Sequence, residues 1–125
     1  MLDRLRIPAC VASSSAHERI RRSLRVAGFI DRFEGRIFSA EDVARGKPAP
    51  DLFLHAAQSM GVPPERCIVI EDSPSGVEAA RAAGMTVYGY CAMTPERRLC
   101  EADAVLRNMT ELPWLLGPHV CPAVA

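Results

Sequence analysis

Glu71 and Asp72 are adjacent carboxylates at the end of a short β-branched run, Cys67-Ile68-Val69-Ile70, and Ser73-Pro74-Ser75-Gly76 follows them. Two acids set that close repel each other unless a proton or a cation intervenes. Their hard oxygens suit Mg²⁺. The same pair can also serve as a solvated acidic turn, or Asp72 can cap the helix opened by Pro74. A second group is Ser13-Ser14-Ser15, directly after an apolar segment. Ser13 offers a hydroxyl beside a helix N-terminus, whose unpaired amides make an anion site; Ser15 reads as a turn and cap residue. The third is Lys47 in Gly46-Lys47-Pro48. Lysines on loops are ordinarily solvated, but proline stiffens the chain here and can hold the ammonium in place. A phosphoryl group met by a serine, a lysine and a carboxylate-held Mg²⁺ would be neutralised from several sides. Phosphoryl transfer needs chiefly such positioning and charge stabilisation.

The elements that must carry these groups follow from patterning. Cys67 to Ile70 has no polar interruption, as in a strand of a parallel sheet buried on both faces. Pro74 suits a first helical position, Val77, Ala79, Ala80, Ala82 and Ala83 continue the helix, and Gly84 closes it. Upstream, Leu2 to Arg6 reads as the last turn of a helix, and Pro8 to Ala12 as a strand. Ser15 with Glu18 fits a capping box, predicting a helix from Ala16; Ile20, Leu24 and Ala27 keep its period up to Gly28. Arg36 to Ser39 is a weaker strand, and Glu41 to Ala49 a loop. Pro50 and Asp51 open a helix that buries Phe53, Ala56, Ala57 and Met60 and ends at Gly61. Met85 to Tyr90 is a strand, Pro95 to Cys100 a short helix, Ala102 to Leu106 a strand and Thr110 to Leu116 a helix. Strands alternating with helices predict an α/β fold: a doubly wound, Rossmann-like, mostly parallel sheet with helices on both faces.

The chain has 125 residues, enough for one domain that buries roughly two-thirds of its unfolded surface. Fifteen basic residues balance fifteen acidic ones, so neither nucleic acid nor an anionic membrane is expected as a partner. No apolar run is long enough to span a bilayer. Asp3, Arg4 and Arg6 break the N-terminal stretch, which does not read as a secretory signal. The five cysteines form no metal-type spacing; an odd count without a disulfide framework points to a reducing cytoplasm. The Pro-rich tail, 117–125, reads as loosely ordered.

In order, Val11-Ala12-Ser13, Gly46-Lys47-Pro48-Ala49-Pro50-Asp51 and Ile70-Glu71-Asp72-Ser73 make the chain resemble the haloacid dehalogenase superfamily. The likeness is to its β-phosphoglucomutase and phosphoglycolate phosphatase branch and runs from about Ile7 to Leu116. Gly76 to Gly84 and the ending from Ala102-Asp103 to Leu112-Pro113 are typical of it. The resemblance implies a hydrolase of a small phosphorylated metabolite that works through an aspartyl-phosphate with Mg²⁺. It implies Ser13, with the backbone of Ser14 and Ser15, as phosphate-binding. It implies Lys47 as the lysine steadying nucleophile and phosphoryl group, and Asp72 with Glu71 as the metal site. Lys47 and Asp72 are thus the candidate catalytic residues, and His17, His55 and the cysteines are left as surface or core.

The family's nucleophile lies in a D-x-D-x-T/V segment on the first, central strand, and this sequence contains no such segment. The helical cap between the first two motifs has no counterpart either. The resemblance therefore implies residues 1–6 as the end of a cap or linker helix, 7–116 as an incomplete catalytic core and 117–125 as a flexible tail. Without the central strand, Pro8–Ala12 and Cys67–Ile70 would flank an empty slot whose unpaired backbone groups are unfavourable if buried and adhesive if exposed. Three expectations follow: marginal stability, re-pairing across the gap, or completion by another chain. Without the nucleophile, covalent catalysis by this chain alone is not expected. A non-catalytic remnant binding phosphate or a partner is the alternative. A signalling receiver domain is disfavoured, because there the acids precede the hydroxyl residue and the lysine.

Overall fold

The computed structural model describes residues 8–91, 94–108 and 121–124. Its elements are β1 (Cys10–Ser13), α1 (His17–Ala27), α2 (Ile30–Phe33), β2 (Ile37–Ser39), α3 (Asp51–Met60), β3 (Cys67–Glu71), α4 (Pro74–Ala82), β4 (Thr86–Tyr90), β5 (Ala104–Leu106) and β6 (Cys121–Val124), with 3-10 turns at Ala40–Asp42, Pro64–Arg66 and Glu96–Leu99. All strands pair in parallel, in the order β2-β1-β6-β3-β4-β5. The expected α/β sheet is present. The helical turn Leu2–Arg6 and the helix Thr110–Leu116 lie outside the described residues.

Alternation along the strands divides the core between two faces. Cys10, Ala12, Phe38, Cys67, Val69 and Val87 point to one face and pack under Leu52, Phe53, Ala56 and Ala57 of α3 and Val77, Ala79 and Ala80 of α4. Val11 and Ile37 point to the other, against Ile20 and Phe33 of α1 and α2. Ile68, Ile70 and Leu106 form a third cluster with Tyr88 and Tyr90. α3 and α4 begin where expected, α4 with Pro74 in its first turn and Ser73 as its cap, the Ser73 Oγ accepting the Gly76 amide at 3.1 Å.

One local expectation is corrected. Ser15 does not cap α1: the N-cap is Ala16, with no side-chain bond. The capping box forms instead at Ser39 and Asp42, around the 3-10 turn after β2. Ser15 is diverted because its amide goes to Ser13 Oγ at 3.1 Å and its carbonyl accepts the buried Ser39 hydroxyl at 2.6 Å.

The larger correction concerns the centre of the sheet. The slot expected to stand empty between β1 and β3 is filled by β6, so the tail expected to be loose contributes a strand. Cys10 and Val11 of β1 pair with Ala123 and Val124, while Cys67 to Ile70 of β3 pair with Cys121 to Val124. The reason is the demand of the neighbours. Two buried strands with unsatisfied edges favour any extended segment that can reach them, whatever its own strand propensity. None of the three expectations named this outcome: β1 and β3 do not pair with each other, and a segment of the same chain stands between them.

Candidate active site

The carboxyl ends of β1 and β3 and the loop before α3 carry the candidate residues, and one ammonium ties them together. Lys47 Nζ lies 2.7 Å from Glu71 Oε2 and 3.3 Å from the Ala12 carbonyl. It also stands 4.9 Å from the centroid of the Phe53 ring, a cation–π contact. Both charged side chains are buried, 6% exposed for Lys47 and 2% for Glu71. The lysine expected on a loop is therefore held, not solvated. Its two hydrogen-bond acceptors belong to Ala12, which precedes Ser13, and Glu71, which precedes Asp72. Three donors on an ammonium, less these two bonds, leave one for a further acceptor.

The carboxylate pair does not act as a pair. β3 extends through Glu71, and a two-residue period sets Glu71 on the same face as Cys67 and Val69. Its Oε1 accepts the Asp72 amide at 3.2 Å, the Ser73 amide at 3.3 Å and the Ser73 hydroxyl at 3.1 Å. Asp72 lies past the strand and is exposed. One acid is thus spent on Lys47 and the turn, and the other faces solvent. Gly76 makes the inward course of Glu71 possible: a Cβ there would fall onto the Glu71 side chain.

Ser13 ends β1 half-buried, its Oγ accepting from Ser15, which leaves its hydroxyl hydrogen free to donate; Ser14 is exposed beside it. A network the sequence did not reveal fixes this loop. The His17 amide donates to Glu41 Oε1 at 2.6 Å, and His17 Nε2 lies 2.8 Å from both Asp42 oxygens. Asp42 Oδ2 also accepts the Ser39 amide at 2.9 Å. That amide bond, with His17 behind it, holds the Asp42 carboxyl below its ordinary value against an opposing push from burial. The serine loop is laced in this way to the strand end that leads to Lys47. Histidine and acid at unrelated spacing gave no sequence signal for it.

Among the described residues no group of three or more His, Cys, Asp or Glu side chains could enclose a metal, and every buried side-chain oxygen and nitrogen has a partner. The donor set offered to a cation is thus an open one: the exposed Asp72 carboxylate, since Lys47 and the turn occupy both oxygens of Glu71. Mg²⁺ usually keeps several waters and takes one or two carboxylates plus phosphate oxygens. The set fits that mode of binding.

Comparison with known proteins bears on what such a site is for. A family model described as haloacid dehalogenase-like hydrolase matches residues 1–84. The chain belongs to that family. It is 34% identical over 122 residues to validoxylamine A 7'-phosphate phosphatase of Streptomyces hygroscopicus subsp. limoneus, covering 98% of this chain and 55% of that protein. To 6-phosphogluconate phosphatase of Escherichia coli it is 35% identical over 116 residues, 92% of this chain and 52% of the relative. Among solved structures, a haloacid dehalogenase-like protein of Agrobacterium tumefaciens superposes with a TM-score of 0.86 at 40% identity, over 91% of this chain and 55% of that one. A β-phosphoglucomutase of Clostridium difficile superposes with a TM-score of 0.68 at 31% identity, over 79% of this chain and 43% of that one. The chain spans about half the length of the curated relatives it matches. Among the described residues no helix is long and apolar enough to cross a membrane.

Proposed function

We propose that this member of the haloacid dehalogenase-like hydrolases forms the phosphate- and metal-binding part of a Mg²⁺-dependent phosphatase or phosphomutase acting on a small phosphorylated metabolite. The observation that carries this reading is the buried Lys47 ammonium, bonded at once to Ala12 and Glu71. It draws the ends of β1 and β3 together, so that Ser13 and Asp72 flank one positive charge. Lys47 has a donor left for a phosphoryl oxygen, and the Ser13 hydroxyl can donate to another. Asp72 would hold Mg²⁺, which when bound supplies further neutralisation of phosphoryl charge. Glu71 keeps Lys47 at the mouth of the sheet. The nucleophilic carboxylate of an aspartyl-phosphate route would come from outside these residues. The odd count of five cysteines without a disulfide framework supports a reducing, cytoplasmic setting; the even charge balance favours a metabolite over nucleic acid or membrane.

The test is hydrolysis of p-nitrophenyl phosphate with Mg²⁺ and with EDTA. It compares the 125-residue chain with the same chain joined to the upstream half of one of its phosphatase relatives. Turnover is expected only in the joined protein with Mg²⁺, and Asp72→Asn should lower it at least a hundredfold without unfolding the chain, since Asp72 is exposed. EDTA-insensitive turnover, or an unaffected Asp72→Asn, would overturn the reading. A second reading, phosphate or partner binding without turnover, is favoured by one observation: β6 occupies the middle of the sheet.

A further inference from the structure

We propose that His17 is a positioning residue for phosphate binding. It meets no phosphoryl group itself; its clasp on Asp42 holds the turn 13–15 in the form that presents the Ser13 hydroxyl hydrogen outward. The role rests on the phosphate-binding reading of Ser13 and Lys47 and adds a residue to it.

The turn between β1 and α1 has no apolar anchor of its own. None of residues 14–17 belongs to an apolar cluster, Ser14 and Ala16 are exposed, and Ala16 caps α1 without a side-chain bond. Polar tethers must therefore fix it, and among the described residues those that reach another element run to 39–42. The Ser39 hydroxyl donates to the Ser15 carbonyl at 2.6 Å, and the His17 amide to Glu41 Oε1 at 2.6 Å. His17 Nε2 stands 2.8 Å from each Asp42 oxygen. A carboxylate only accepts, so Nε2 carries a proton and one N–H is shared between two oxygens. Asp42 is itself locked, since its Oδ2 accepts the Ser39 amide at 2.9 Å. His17 thus grips, from the far end of the turn, the same short segment that Ser39 ties to Ser15.

What the clasp controls is a hydrogen. The Ser15 amide donates to Ser13 Oγ at 3.1 Å. While the turn keeps this shape, the Ser13 oxygen accepts on that side and its O–H is left to point elsewhere. A slack turn would let the hydroxyl rotate, and phosphate would lose a pre-organised donor. The His17 ring suits this control, because a charged partner binds it through both oxygens, yet the ring is 38% exposed and adds nothing to the core. Its removal should disturb position more than stability.

The experiment titrates the full chain with inorganic phosphate in the presence of Mg²⁺, following the amide signals of Ser13 to Ser15 by NMR. His17→Ala should raise the dissociation constant about tenfold, the equivalent of one charge-assisted hydrogen bond, and move the melting temperature by no more than a few degrees. In His17→Gln an N–H lies as many bonds from Cβ as Nε2 does, so this variant should recover most of the affinity. His17→Asn is one bond too short and should not. Phosphate binding unaffected by His17→Ala, or Gln and Asn variants that bind alike, would overturn the role of His17 while the phosphate-binding reading stands. No binding by the unaltered chain would overturn that reading and the role with it. Should His17→Ala not fold, the comparison of Gln with Asn still decides.

Discussion

Removing either partner of the buried Lys47–Glu71 pair should destabilise the fold strongly, and the two losses should be unequal. With side chains 6% and 2% exposed, an orphaned charge has little access to water. Breaking such a pair by deleting one member typically costs about 3–5 kcal/mol. In Lys47→Met the remaining carboxylate keeps three donors on Oε1, from Asp72 and Ser73, which puts the loss near the lower figure. In Glu71→Leu the ammonium keeps only the Ala12 carbonyl and the Phe53 face. Two turn amides and the Ser73 hydroxyl also lose their acceptor, so the loss belongs near the upper figure. The double variant, apolar on both sides, should recover much of the deficit, because replacing a whole buried pair by hydrocarbon is often neutral or better. Urea unfolding of the four proteins closes the cycle and gives the coupling energy directly. Single losses below about 1 kcal/mol, as for exposed pairs, would refute the claim that this pair is desolvated. Additive losses would refute the claim that the two charges depend on each other.

Gly76→Ala tests the packing of the same carboxylate from the helix side. Intrinsic propensity alone would make alanine more stable in a helix by up to about 1 kcal/mol, yet a Cβ here falls onto Glu71. The expected result is a loss comparable to that of Glu71→Leu, read by urea unfolding, and a net gain would show that Glu71 does not lie against α4. Asp42 gives a pH signature. Its carboxyl is held below the ordinary value of 3.8, chiefly by the Ser39 amide, so the folded state binds its proton less readily than the unfolded chain does. Its contribution is present in full above the unfolded value and is lost as pH falls through the lower folded one. Asp42→Asn should therefore destabilise the chain at pH 7 and flatten the acid limb of its stability profile below about pH 4; an unchanged acid limb would contradict the network.

The sheet, α3 and α4 were legible because each rests on local signals that agree: an apolar run, Pro74 at a first turn, Gly61 and Gly84 at ends. Lys47 and Asp72 were legible as candidates by motif, but the burial of Lys47 was not, since it depends on Phe53 and Glu71 arriving from elsewhere. The split of the acidic pair was available in principle. Cys67, Val69 and Glu71 lie two residues apart, so extending the strand by one residue turns Glu71 inward and leaves Asp72 outside. The Ser15 capping box failed for a different reason: its pattern is satisfied on paper by Ser15 and Glu18, and equally by Ser39 and Asp42. Only the approach of β2 to the serine loop decides which serine caps.

β6 could not be read from its own residues, and the physics explains why. Cys-Pro-Ala-Val is short and carries a proline, which argues against any central strand. What places it there is the open edges of β1 and β3, a property of residues at least 50 positions away in the chain. Edge demand of this kind is indifferent to side-chain detail and asks only for an extended backbone. A slot filled on such terms specifies register weakly.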